Sequence, residues 1–281
     1  MKILSLGAGV QSTTVLLMSC RGILPKVDHA VFADTGWEPY AVYDHLDWLK
    51  DESEIHGIPV SIVDGGDLRA DGINSKMRGT KANDERWMSL PVYSLDADGN
   101  DGQIRRQCTS EYKIQPIEKW LRREILGLKP RQRVPKGTMI EHWFGISSDE
   151  AGRMREPHNA WQTYHYPLCN VPVEYMGKAW TRGSCEAWLK REYPDRDVPR
   201  SACVGCPYHS NAEWARIQAD PVQWADVVEF DKAIRNCGGM RGQVFLHRDC
   251  KPLDEIDFRS KHDKNGQASL WDCEIEGMCG V

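Results

Sequence analysis

No apolar run in this sequence approaches the roughly 18 residues that a membrane-spanning helix requires, which argues against an integral helical membrane protein. Positive charge is not in excess either: 36 Lys and Arg against 41 Asp and Glu leave a net charge of −5. The surface as a whole is therefore no magnet for nucleic acid. The start of the chain reads directly as a strand with no signal-peptide pattern, so a cytoplasmic location is expected. A small-residue turn at Gly7-Ala8-Gly9 is not followed by the Gly-Lys-Ser/Thr of a P-loop, and no third glycine stands at position 12 to complete a dinucleotide fingerprint.

What is present is an ordinary bulk composition and an unusual amount of sulfur. A chain of 281 residues, 41% hydrophobic and 27% charged, can hold one large α/β domain with or without a small appendage. Ten cysteines are many for a cytosolic protein of this size. Without an export signal a disulfide framework is not expected, and metal, cluster or redox use of some thiols is. The eleven tryptophans read as core or pocket wall.

The N-terminal stretch carries the first site signal. Lys2-Ile3-Leu4 reads as a buried strand, Gly7-Ala8-Gly9 as a turn, and Gln11 to Cys20 as a helix with Val15, Leu16 and Met18 apolar. Strand, small-residue turn and helix form the arrangement in which backbone N–H groups and a helix N-terminus cradle a phosphate. The hydroxyls of Ser12 and Thr13 are placed to donate to its oxygens, and a tight turn without a ligand is the other reading. Ala30 to Asp34 is a second strand, ending in Thr35-Gly36; Asp34 or Thr35 serves either a ligand at the strand end or a helix cap. A helix over Tyr40 to Ile55 and a strand over Pro59 to Val63 complete a β-α-β-α-β order, which predicts a parallel sheet.

Residues 64–102 read as a long irregular insertion with a turn at Asp98 to Gly102, in which Lys76, Arg78 and Lys81 face either an anionic substrate or solvent. A helix follows, with Thr109 as its N-cap, Pro116 near its start, and Ile114, Ile117, Leu121 and Ile125 on one face. Cys108 then lies at a helix N-terminus, where a thiolate is stabilised. Residues 105–136 hold ten Lys or Arg against three Glu, a local basic face suited to a nucleic acid or to the phosphate pocket alone. Met139 to Ile146 reads as another strand, residues 178–191 and 221–235 as helices, and Val244 to His247 as a short strand. Cys203-Val204-Gly205-Cys206 is a C-x-x-C, a spacing that lets two thiolates meet one metal or cluster; no thioredoxin-like context surrounds it. Cys20, Cys169, Cys185 and Cys237 read as packing residues, and Cys250 as a reserve ligand.

Five of these segments, in order, resemble the phosphoadenylyl-sulfate reductase branch of the PP-loop ATP-pyrophosphatase superfamily. Gly7-Ala8-Gly9-Val10-Gln11-Ser12 resembles its S-G-G-x-D-S loop, with Gly7 for the first Ser, Gln11 for Asp, and Ser5 as a substitute hydroxyl. Asp34-Thr35-Gly36 matches its D-T-G, and Gln107-Cys108 with Lys113 and Pro116 resembles C-C-x-x-R-K-V-x-P-L. Gly145 to Arg153 resembles G-x-R-x-D/E-x-x-x-R with Ser147 for the first Arg, and Cys203/Cys206 matches the C-x-x-C of cluster-bearing members. The resemblance implies a mainly parallel five-stranded twisted sheet flanked by helices (1–170), and a helical part (171–281) that carries the cysteine cluster and tail and packs on the same domain.

The resemblance also implies a site. Ser5, Gly7, Ala8, Gly9, Gln11, Ser12 and Thr13, with Asp34, Thr35 and Gly36, would bind ATP or a related adenine nucleotide, with Mg²⁺ as an optional companion. Lys113 and Arg153 or Arg155 would face its phosphates. Cys108, Cys203 and Cys206 map onto three of four [4Fe–4S] ligands, with Cys273 or Cys279 in the tail as candidates for the fourth. The leading functional expectation is an enzyme that adenylates a substrate, releases pyrophosphate and inserts sulfur into a nucleic acid or nucleotide. The sulfur or electron donor is not specified. One alternative is an adenylyl-sulfate or phosphoadenylyl-sulfate reductase with Cys279 or Cys273 as nucleophile. The other is a non-catalytic nucleotide-binding or zinc-stapled interaction protein.

Overall fold

The alternation of side chains along Lys2–Ser5 (β1), His29–Asp34 (β2) and Val60–Asp64 (β3) sets the architecture. Leu4, Ala30 and Phe32 point to one face of the sheet, and Ile3, Val31 and Ala33 to the other. Both faces are thus apolar, as a parallel sheet covered on both sides requires. The computed structural model describes residues 1–76, 86–169 and 178–259; Arg78, Lys81, Cys273 and Cys279 lie outside them.

Within those residues the remaining strands are Ser75–Lys76 (β4), Arg86–Trp87 (β5), Tyr93–Asp96 (β6), Asp101–Gln103 (β7), Ile140–Phe144 (β8), Gln162–His165 (β9) and Gly242–Phe245 (β10). The α-helices are Val10–Cys20 (α1), Tyr40–Ile55 (α2), Leu68–Ile73 (α3), Gln115–Trp120 (α4), Arg182–Glu192 (α5), Asn211–Gln218 (α6) and Pro221–Ile234 (α7). The main sheet has five strands in the order β3-β2-β1-β8-β9, and every pair is parallel. Helices flank it. On one side α1 and α5 pack with Val42, Leu46 and Leu49 of α2. On the other, Ile117 and Leu121 cover Ile3, Val31, Ala33 and Ile140. The parallel five-stranded sheet of the sequence reading is present.

The insertion read as irregular is not: β6, β7 and β10 form a second, antiparallel sheet in the order β10-β6-β7, and α3 packs on α7. Its short strands alternate weakly, and β10 comes from more than 130 residues downstream (Phe245 pairs with Tyr93), which no local pattern reveals. This second core takes in Trp37 from the loop after β2, Leu68 from α3, and Cys203 and Val204 from the C-x-x-C.

The helix around Pro116 also departs from the sequence reading. It begins one residue earlier, with Cys108 and not Thr109 at the N-cap, and wider π-type turns over Thr109–Ile114 and Leu121–Ile125 flank α4. Pro116 has no N–H to give the Tyr112 carbonyl four residues back, so a regular α-turn cannot close there.

Candidate functional site

β1 is followed by α1 on the β2 side, while the chain reaches β8 on the other side. The loops after β1 and β8 therefore diverge, and the opening between them is the switch point where parallel sheets bind ligands. The floor is the turn at 7–9. Ala8 takes a left-handed conformation with φ of 55°, unusual for a residue with a Cβ. Gly9 caps α1 without any side-chain hydrogen bond, and the first turn holds no acid, so the helix N-terminus is left for an anion. Ser12 closes the turn: its Oγ accepts the Gly7 N–H at 3.1 Å and donates to the Gly9 carbonyl at 3.3 Å. Gly145, just past β8, packs on the same turn so tightly that a Cβ there would lie 2.5 Å from the Ser12 nitrogen.

The cleft above this floor encloses about 560 Å³ and is lined by Ser5, Gly7, Gly9, Gln11, Ser12, Glu150, Arg153, Arg182, Arg200 and Ser201, among others. Each arginine is anchored by a carboxylate: Arg153 by Glu150, Arg182 by Glu186 and Arg200 by Glu213. Three guanidinium groups around a small-residue turn make an arrangement that can receive a polyanion, a cradle in shape and charge. Gln11, in the place of an acid, donates to Glu150 Oε2 at 3.1 Å and ties the turn to the β8 loop. Thr13, expected on the phosphate, is fully buried and instead pairs its hydroxyl with His45 Nε2 at 3.0 Å. At the fourth helical position its side chain faces α2, away from the cradle.

A second cleft of about 480 Å³ holds Cys108, Cys203 and Cys206 together with Thr35, Arg106 and Lys113. Cys108 lies nearly a hundred residues before the C-x-x-C but lines the same cleft. The loop after β2 builds their support. Asp34 acts as a turn cap, its Oδ1 accepting the Gly36 N–H and the Tyr43 hydroxyl, both at 2.8 Å. Gly36 has φ of 70° and completes that turn. Trp37 lies on the C-x-x-C turn so closely that a Cβ on Gly205 would be 1.9 Å from its ring, and its carbonyl accepts the Val204 N–H at 2.9 Å.

Lys113 belongs to this second cleft. Its Nζ pairs with Glu38 Oε1 at 3.2 Å, and the Glu38 side chain is wholly buried. Glu38 Oε1 also takes the Thr35 hydroxyl at 3.2 Å and lies 3.5 Å from Cys203 Sγ. Burial pushes the Cys203 thiol well up, with the Glu38 charge adding to it and Lys113 and Thr35 opposing. Below the C-x-x-C, His209 Nε2 lies 3.0 Å from the Cys203 carbonyl. Burial raises the Glu213 carboxyl, but the hydrogen bond and charge of His209, the Ser210 N–H and Arg200 outweigh it and hold the pKa at about 2.

Ser201 joins the two clefts. It lines both, and its Cβ and Oγ lie 3.0 and 3.4 Å from where Gly9 and Gly7 would carry a Cβ. Three residues here escaped the sequence reading: Glu38, Arg182 and Arg200. Glu38 follows the Asp34-Thr35-Gly36 turn and Arg200 stands three residues before Cys203, so position beside a motif was the available signal; Arg182 had none. The other cysteines pack as expected, Cys185 buried against α1 and Cys20 and Cys237 half-buried at the two cores. Cys250 lies away from the thiol cleft, with its Sγ 3.8 Å from the Ser94 carbonyl. Among the described residues, no group of three His, Cys, Asp or Glu side chains is arranged to hold a metal ion, and no helix is long and apolar enough to cross a membrane.

No protein-family model matches the sequence, and no curated protein matches it. Among solved structures the chain is similar to a phosphoadenylyl-sulfate (PAPS) reductase from Candida auris in a phosphate complex, with 13% identity and a TM-score of 0.39 over 71% of this chain and 74% of that one. A likeness this loose leaves the reading of the site to the chain's own geometry, which is that of an α/β protein with a small-residue anion cradle beside a three-thiol cleft.

Proposed function

We propose that the chain is an adenine-nucleotide-dependent enzyme of sulfur chemistry. The observation that carries this reading is Ser201, a single residue that walls both the arginine-lined cradle and the cleft of Cys108, Cys203 and Cys206. The phosphates of ATP lie over residues 7–12, where Ser12, the α1 N-terminus and Arg153, Arg182 and Arg200 hold them. An acceptor oxygen attacks the α-phosphorus, the bond to the β-phosphate breaks, and pyrophosphate leaves. The three guanidinium groups neutralise the charge that grows on the departing oxygens. Asp34, Thr35 and Gly36 act behind the thiols as turn and support, and Lys113 neutralises Glu38 there.

The C-x-x-C spacing and the cleft that its two cysteines share with Cys108 support a metal group there. Cys108, Cys203 and Cys206 would hold a [4Fe–4S] cluster, with Cys273 of the tail as fourth ligand. When bound, such a cluster supplies an iron site for sulfide or electrons. The chain's own part is to keep that site dry under Trp37 and within reach of the activated acceptor. A nucleic acid along the basic 105–136 segment is the acceptor class this reading favours.

The test is product analysis with anaerobically prepared full-length protein given ATP, phosphoadenylyl sulfate or adenylyl sulfate. Pyrophosphate release from ATP that depends on Arg200 is expected. Thiol-dependent sulfite production without pyrophosphate release would replace this reading with a reductase that uses Cys279.

A further inference from the structure

We infer that the cleft between β8, β9 and the helix at 109–125 is a nucleobase-binding subsite. It rests on the cradle reading only for its position beside the phosphates. Sheet periodicity puts Ser5, His142, Phe144, Tyr164 and Tyr166 on one face: Ser5 pairs in register with Phe144, and His142 with Tyr164. The helix covers that face over β1 and β2 through Ile117 and Leu121. It reaches β8 and β9 only at their margin, so Phe144, Tyr164 and Tyr166 stay half-exposed. About 610 Å³ opens there, walled on the helix side by Ile114 and Ile117.

The rings form a preassembled wall. Phe144 meets Tyr164 edge-on at 4.8 Å and stacks near-parallel with Tyr166 at 5.9 Å. Half-exposed aromatic rings offer their faces to any planar base, whatever its sequence. A polar group stands at the back of the wall. His142 is 4% exposed, its Nε2 lies 2.8 Å from Ser5 Oγ, and its Nδ1 has no partner among the described residues. Burial holds this imidazole at a pKa of about 4, so it is neutral, with one donor and one acceptor, and the Ser5 hydroxyl takes the function at Nε2.

The cleft is also continuous with the cradle. Ser5, Phe144, Ile146 and Arg153 line both, and Arg155 adds a cation and His158 an imidazole to the lining. A base in this cleft therefore has its phosphates on the arginine side. Two sources supply such a base: the nucleotide held in the cradle, or a single-stranded polynucleotide lying along the exposed Lys119 and Arg123 of the neighbouring helix.

Calorimetric titration of full-length protein with inorganic tripolyphosphate, ATP and a short single-stranded oligonucleotide separates these. Tyr164→Ala is expected to weaken ATP or oligonucleotide about tenfold and to leave tripolyphosphate unchanged, while Tyr164→Phe, which keeps the ring, binds like the parent. Loss for ATP assigns the base to the bound nucleotide, and loss for the oligonucleotide alone assigns it to a polynucleotide. Should Tyr164→Ala not fold, Tyr164→Leu fills the space without a π-face and gives the same comparison. Unchanged affinities for both ligands, or an equal loss for tripolyphosphate, would overturn the inference. Failure of tripolyphosphate to bind the parent would sink the cradle reading instead, and leave the base site to be judged on the oligonucleotide.

Discussion

The cradle and the thiol cleft sit a residue apart but are made in different ways. The cradle floor is local: strand, turn and first helical turn are contiguous from Ser5 to Ser12, and the turn depends on backbone that side chains must not crowd. The thiol cleft is assembled from segments around 35, 108 and 203, held by a buried ion pair and by a tryptophan laid over Gly205. The first is a backbone device that tolerates changes in its rim. The second is a tertiary device in which each contact supports the others, and it should be the more easily broken.

Lys113→Gln gives the sharpest contrast. It leaves the Glu38 carboxylate buried without its ion-pair partner, and a loss of about 3–5 kcal/mol in unfolding free energy is expected by denaturant titration. Glu38→Gln added to it should recover much of that loss. Tripolyphosphate affinity, read on whatever folded protein remains, should not change; a tenfold fall would return Lys113 to the phosphates. Next in size is Gly205→Ala. Its methyl would overlap Trp37, so a loss of about 1–3 kcal/mol is expected, with altered tryptophan fluorescence and an undisturbed cradle.

These two predictions rest on what could not be read from sequence. The glycine turn and four of the five parallel strands were legible from short-range periodicity; the fifth, β9, and the grouping of Cys108 with Cys203 and Cys206 came only from the family resemblance. Lys113 matched a motif but not its expected neighbour, since its partner, Glu38, lies on another loop and a buried pair leaves no local pattern. Thr13 was misdirected for a related reason: its place in the loop motif says nothing of which way the α1 helix turns it. The antiparallel sheet was missed because strand pairing across the chain, Phe245 with Tyr93, is invisible to a window of a few residues.

On the cradle side, Arg182→Gln should weaken tripolyphosphate several-fold, by about 1 kcal/mol, with little effect on stability, since its partner Glu186 is half-exposed. A stability loss as large as that of Lys113→Gln would erase the distinction between rim and support. The smallest effect is one of pH. Glu213, held at about 2 against an ordinary 4.5, stabilises the fold fully above pH 4.5 and loses that contribution as pH falls toward 2. Melting temperature in the parent should fall over that interval, and Glu213→Gln should flatten the slope.

The claim that the two clefts form one site is tested most directly by electron paramagnetic resonance of the reduced, anaerobically purified full-length protein, titrated with ATP. The account predicts an iron–sulfur signal from about four irons per chain, lost in Cys108→Ser and shifted when ATP fills the cradle. A signal that ignores ATP, or survives Cys108→Ser unaltered, would contradict it.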